Sequence, residues 1–394
     1  MRPVVLMLGF LVACGHGQTS SLPKQPASPP IAPASDLADA KASAPRADPG
    51  GPGLTAKDPR VVDLDIIRIR ATSKGVGGDT ELTSVASADL FKLANEAVKA
   101  GNTKDAIARY RQIVVEFPDS QFAPVSLFNI AAIYDHQRDL TSTITTLREL
   151  VATYPQARES IDGHLYIAAL QADHHDWPDA VVTLDAALAR TGLTYADRIE
   201  AFARKGYVEL EQHHYDLADA ALEGAVAEWH KAPRIEDPYY IAMAEYYRGE
   251  LMHRRFTEAP VRTGDDEMVA DLEAKRVLAV KAYDRWKDSL RFKHAYWATA
   301  SGYQMSQIFV ELWEAHVKAP YPRRIDAQTR PKYLADVHDR VREHLEKALE
   351  GHRMNVELAK AFGVDTEWSK GSEQRAVQIM ELIAKDSKGE YVSP

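Results

Sequence analysis

The strongest constraint on this chain is a recurrence. From Leu90 to about Trp229, runs of apolar residues at helical spacing come in pairs, each pair joined by a turn and ended by a helix stop. In the first run Leu90, Leu93, Ala94 and Ala97 share one face, and Gly101-Asn102 ends it. Its partner places Ala106, Tyr110 and Ile113 inward before Phe117-Pro118. Proline stops that helix because it lacks the amide hydrogen and disfavours helix at the preceding residue. The unit returns with Leu127, Ile130, Ala131 and Tyr134, a turn at Arg138-Asp139, then Leu147, Leu150 and Tyr154-Pro155. A third copy runs through Ile167, Ala168, the turn His175-Asp176-Trp177, Ala180, Leu184 and Ala187, with Gly192 where the proline stood. A fourth has Gly206, a turn near His213, Tyr215, Ala218, Leu222 and Ala225. A single helix pair cannot bury its apolar face alone, so successive pairs must stack. From about Thr83 onward no segment asks for a sheet, and the predicted fold is all-α.

These positions resemble the tetratricopeptide repeat, a helix-turn-helix unit of about 34 residues with small and large residues at fixed offsets. Ala94, Gly101, Ala106, Tyr110 and Pro118 fit the first copy, and Ala131, Tyr134 and Pro155 the second. Phe117-Pro118-Asp119-Ser120 and Tyr154-Pro155 are most similar to the repeats of the BamD family of outer-membrane assembly lipoproteins and of the Tol-associated periplasmic coordinator. The resemblance covers residues 87 to 229 and implies a solenoid whose first helices line a groove for a partner. Versions of the repeat that clamp a terminal carboxylate carry lysine, asparagine and arginine at set positions. Here the fifth positions of the first three repeats are Phe91, Phe128 and Leu165. The expectation is therefore an apolar groove that receives a helix or an extended segment, with Asn95 and Asn129 as polar contacts. The chain's own Val61 to Ile69 segment is the alternative cover for these residues.

Beyond Trp229 the offsets blur while the helical period persists. Ile241 to Phe256, Leu272 to Leu290, Ala298 to Val317, Tyr333 to Ala361 and Ser372 to Ala384 read as helices, the last one capping the stack. Five or six pairs are expected in all. The tyrosines and tryptophans gathered in this half, among them Tyr246, Tyr247, Trp286, Trp297 and Trp313, are expected mostly in the core.

The amino-terminal end has a different character. Val4 to Ala13 is an apolar run of about ten residues behind Arg2, enough for an export signal and too short to span a bilayer. It ends in Leu11-Val12-Ala13-Cys14, which contains the sole cysteine of the chain. An exported chain with a single cysteine is not using it for internal disulfides. The four residues resemble the lipobox of bacterial lipoproteins, which implies diacylglycerol on Cys14 and cleavage before it; Gly15 resembles the outer-membrane sorting class. From Gly15 to about Arg60 proline, alanine, serine and glycine dominate without any aromatic residue, a composition that cannot offset its ordering entropy. As a flexible coil it would average about 40 Å end to end. Val61 to Arg70 alternates briefly as a strand would before Gly75, Gly77 and Gly78. The expected layout is a signal over 1–13, a tether over 14–60, an extended segment and loop over 61–82, repeats over 83–230 and degenerate helical pairs over 231–394.

Chemical motifs are scarce. The sequence has no GxSxG, phosphate-binding glycine loop, HExxH or zinc-type cysteine pairing, so no catalytic residue, metal or cofactor is expected. Asp265-Asp266 reads as part of a solvated loop. His174-His175 and His213-His214 fall at corresponding turns and read as surface turn residues, with metal binding as the sharper alternative. His253-Arg254-Arg255 reads as a solvated helix end. The formal charge is −9, and removing Arg2 with the signal leaves 47 basic against 57 acidic residues, or −10, which disfavours nucleic acid. The expected function is non-enzymatic: a scaffold or adaptor at the periplasmic face of the outer membrane, lipid-anchored, with envelope proteins or peptides as partners. A glycan- or peptide-handling pocket in the C-terminal half is the second reading. Sequence does not fix the oligomeric state.

Overall fold

The computed structural model describes residues 67–73 and 80–392. Cys14, the proline-rich tether and Val61 to Ile66 lie outside the described residues. A two-stranded antiparallel hairpin, β1 (Ile67–Ser73) and β2 (Thr80–Ala86), leads into thirteen helices among the described residues. These are α1 (Ser87–Lys99), α2 (Thr103–Glu116), α3 (Phe122–His136), α4 (Leu140–Thr153), α5 (Arg158–Asp173), α6 (Trp177–Leu188), α7 (Tyr195–Glu211), α8 (Tyr215–Lys231), α9 (Tyr239–Glu258), α10 (Asp265–Leu290), α11 (Ala295–Val317), α12 (Arg330–Phe362) and α13 (Glu367–Ser387). They form six antiparallel pairs and a terminal helix, at the upper end of the expected number. Each odd-numbered helix packs on the next odd-numbered one, and the even-numbered helices fill the spaces between them. The fold is a tetratricopeptide-type α-solenoid.

The hairpin corrects the expected boundary at Thr83. Ile67 pairs with Ala86 and Ser73 with Thr80, so the second strand runs on to Ala86 and the first helix starts only at Ser87. An isolated strand is unstable in water, and this chain supplies its own partner strand. Val85 then packs on the N-terminal core, and the Arg68 guanidinium lies 5.6 Å from the centre of the Phe117 ring.

The first four pairs share one turn. Gly101, Arg138, His175 and His213 each adopt the left-handed conformation, with φ of 73°, 62°, 61° and 60°. In every case that residue's amide donates to a carbonyl three residues back, and the next amide reaches five back, as in Gly101 to Val98 and Asn102 to Ala97. This satisfies carbonyls that a helix end otherwise leaves free. Asn102 and Asp139 then cap the following helices by accepting from the amides of Asp105 and Ser142.

Close approach within a pair needs a missing side chain. A Cβ on Gly206 would fall 2.4 Å from Leu222 Cδ2, and one on Gly249 would fall 2.3 Å from Trp286 Cδ1. The interior divides into three apolar clusters along the stack. Twelve of the sixteen residues of α5 are buried: Tyr166, Ile167 and Leu170 serve the N-terminal cluster, while Ile161, Leu165 and Ala168 serve the central one. Leu93, expected on an inner face, is 43 % exposed, whereas Ile130 one repeat later is fully buried. No helix pair precedes α1 among the described residues to cover it. Trp286, Trp297, Tyr246 and Tyr247 lie in the core as expected.

Candidate interaction surfaces

The five residues expected to line a partner groove do not form one. Phe91 is buried, stacked 5.0 Å from Phe122 of the next pair and 5.7 Å from Tyr110. Leu165 belongs to the central core. Phe128 is half-buried, with its ring 6.0 Å from Tyr166. Asn95 and Asn129 are both buried around one phenol: Tyr110 donates to Asn95 Oδ1 at 2.5 Å, and Asn129 Nδ2 donates to the Tyr110 oxygen at 3.2 Å. Burial pushes the Tyr110 pKa up to about 12, so the phenol keeps its proton. The amide groups assigned to a partner are satisfied internally, because a buried phenol requires partners of its own.

The charged motifs also work inward. His253-Arg254-Arg255 is not a solvated helix end: His253 Nε2 is 2.6 Å from Glu311, Arg254 donates to Glu211 at 2.6 Å, and Arg255 to Asp216 at 3.2 Å, tying α9 to α11, α7 and α8. Burial opposes the charge on His253, yet Glu311 and Glu250 hold its pKa up at about 10. Asp265 and Asp266 open α10 rather than sit in a loop, and Asp265 accepts from the Arg323 amide at 2.9 Å. Carboxylates are favoured there by the amide-rich helix start. His174 caps α5 through the Leu170 carbonyl, and His214 Nδ1 lies 2.8 Å from Glu209. Among the described residues no group of three or more His, Cys, Asp or Glu is placed to hold a metal ion.

One arrangement missed at the sequence level resembles part of a hydrolytic triad. His338 Nδ1 is bonded to Asp386, and Arg342 donates to the other Asp386 oxygen at 2.8 Å. The remaining ring nitrogen, Nε2, lies 2.9 Å from the Val392 carbonyl. With both nitrogens engaged, the imidazole has none left to take a proton from a nucleophile. The cluster clasps the end of the chain onto α12.

An open concavity lies in the C-terminal third. It is an open groove of about 1360 Å³ with Tyr283 and Leu290 of α10 on one side, Met305 and Phe309 of α11 beneath, and Met354 and Leu358 of α12 opposite. Small residues let two of its helices meet closely: a Cβ on Gly351 would fall 2.5 Å from Ser306 Oγ at the crossing of α11 and α12. Met354 is 65 % exposed. Glu346, Glu350 and Glu373 stand on the rim, exposed and without an ion-pair partner among the described residues. The other rim carboxylate, Glu357, is bonded to Lys360. The sequence signal was present in Gly302, Ser306, Gly351 and the two methionines, but it is divided between helices far apart in the chain.

Comparison with known families matches the tetratricopeptide repeat to residues 90–120 and 125–157. No curated protein sequence matches the chain. Among solved structures, the C-terminal part of a tetratricopeptide repeat-containing protein from Cytophaga hutchinsonii is 13 % identical at a TM-score of 0.40, covering 76 % of this chain and 98 % of that one. MamA from Desulfovibrio magneticus is 10 % identical at 0.35, over 52 % of this chain and 94 % of its own. A tetratricopeptide repeat protein from Parabacteroides merdae is 12 % identical at 0.34, over 75 % and 98 % respectively.

Proposed function

We propose that this tetratricopeptide-repeat chain is a non-enzymatic scaffold or adaptor, exported and held by lipid on Cys14 at the periplasmic face of the outer membrane, where it binds protein partners of a cell-envelope complex. The observation that carries the binding half is the apolar groove over α11. At about 1360 Å³ it exceeds the roughly 300–1000 Å³ typical of small-molecule sites. Its exposed Met354, with half-buried Met305 beneath, suits an adaptable protein contact. A glycan would need hydrogen-bonding groups converging on it from the floor, and the floor residues Met305 and Phe309 are apolar, which favours a protein segment over a sugar. Leu11-Val12-Ala13-Cys14 supports the anchor, and two or more acyl chains give stable attachment.

Two measurements test the reading. The parent should fractionate with membranes and Cys14→Ser should appear in the soluble periplasmic fraction; equal partition of the two removes the anchor. Gentle crosslinking in cells should join specific envelope proteins to the stack, whereas a tight small-molecule ligand surviving purification would replace the scaffold reading.

A further inference from the structure

We infer that the groove between α10 and α12 receives an amphipathic helix of a partner protein whose apolar stripe is flanked by lysine or arginine. This rests on the scaffold reading above and narrows it to one partner chemistry at one place.

Three observations lead there. First, the walls and floor are helices, whose backbone amides and carbonyls are already bonded within themselves. An extended segment laid in this groove would find no backbone partners for the amides turned toward its apolar floor. A helix arrives with its backbone satisfied. Second, the dimensions agree. The lining of α12 runs from Glu346 to Ala361, which is roughly 22 Å at 1.5 Å per residue, four turns of a helix. A helix of that length and about 10 Å diameter occupies roughly 1700 Å³, of the same order as the groove, with its outer side left in solvent. Third, the rim selects charge. Lys347 is paired with Glu343 and Glu357 with Lys360. That leaves Glu346, Glu350 and Glu373 against Arg353, whose guanidinium points to Met380 Sδ at 3.1 Å. A helix with basic flanks is drawn in, and one with acidic flanks is repelled.

The test uses the mature-length chain carrying Cys14→Ser and two fluorescein-labelled 18-residue peptides with the same leucine stripe, one flanked by lysine and arginine, the other by glutamate. Fluorescence anisotropy should show the basic peptide binding at least tenfold more tightly at low salt, with the gap narrowing at high salt. Met354→Glu, at a position 65 % exposed, should weaken the basic peptide at least tenfold. A Glu346→Lys/Glu350→Lys variant should reverse the order of the two peptides. Absence of binding, equal binding of both peptides, or binding unchanged by Met354→Glu overturns the inference. Equal affinity for a proline-interrupted basic peptide would assign the groove to an extended segment instead. A concentration-dependent dimer abolished by Met354→Glu would assign it to a second copy of the chain. Crosslinks to envelope proteins from other faces, with no peptide bound here, would remove this inference and leave the scaffold reading standing.

Discussion

Replacing Gly249 by alanine probes how closely a helix pair is set. The new Cβ would lie 2.3 Å from Trp286 Cδ1, 2.4 Å from Nε1 and 2.8 Å from Cγ. Ordinary contact begins near 3.4 Å, so the indole or the whole of α9 must retreat by about 1 Å. Trp286 has no exposed surface and sits in the central core, where there is no slack to receive it. Overpacking of this kind costs about 1–3 kcal/mol and at times more. Alanine is a better helix former than glycine by about 1 kcal/mol, which acts in the opposite direction. The control is Gly163→Ala in α5, whose Cβ would meet Leu150 and Val151 at 3.4 Å, an ordinary contact. Both variants gain the same propensity, so their difference isolates the clash. In urea denaturation Gly249→Ala should be less stable than Gly163→Ala by about 2–3 kcal/mol. Adding Trp286→Leu to Gly249→Ala should cost less than the two changes made separately, with a coupling above about 1 kcal/mol. Equal stability of the two alanine variants, or strict additivity in the double variant, would refute the close-approach argument.

Two further outcomes follow from the turns and from a buried imidazole. Gly101→Ala places a Cβ on a left-handed residue and should lower the melting temperature, whereas His175→Gly relieves the same strain and should raise it, each by the equivalent of about 1 kcal/mol. His352 is fully buried against Ser372 Oγ and the Tyr303 ring; burial, reinforced by Arg375, lowers its pKa to about 3. The unfolded chain therefore binds the extra proton between about pH 6.5 and pH 3, and stability present at neutral pH is lost as pH falls through that window. The loss should reach about 2–3 kcal/mol at pH 4.5, and His352→Phe should flatten the slope of stability against pH in denaturant titrations even if the variant starts lower.

What could be read from the chain alone was whatever is local. Pro118, Pro155, Gly192 and the helical spacing on either side of them locate four pairs, because each of those signals acts within a few residues. Strand β2 was invisible, since seven residues ending at Ala86 are too short to establish a period and their reason for pairing lies in β1. The repeat position of Phe91 points to an open groove, and only the next pair, through Phe122, shows that it is covered. Asn95 and Asn129 were recoverable in principle: Tyr110 on an inner helix face needs hydrogen-bond partners, and these amides are the neighbours that supply them. The ion pairs of His253, Arg254 and Arg255 depend on Glu311, Glu211 and Asp216, each in another helix, so no reading of α9 by itself could find them.

Helix α5 has a mechanical consequence. Its opposite sides are built into two different interiors, so it works as a shared wall rather than as a hinge. Bending the stack at that point would open both rooms at once. The superhelix should yield elsewhere first, and a proline introduced at Ala168 would break the chain's continuity for everything on either side of it.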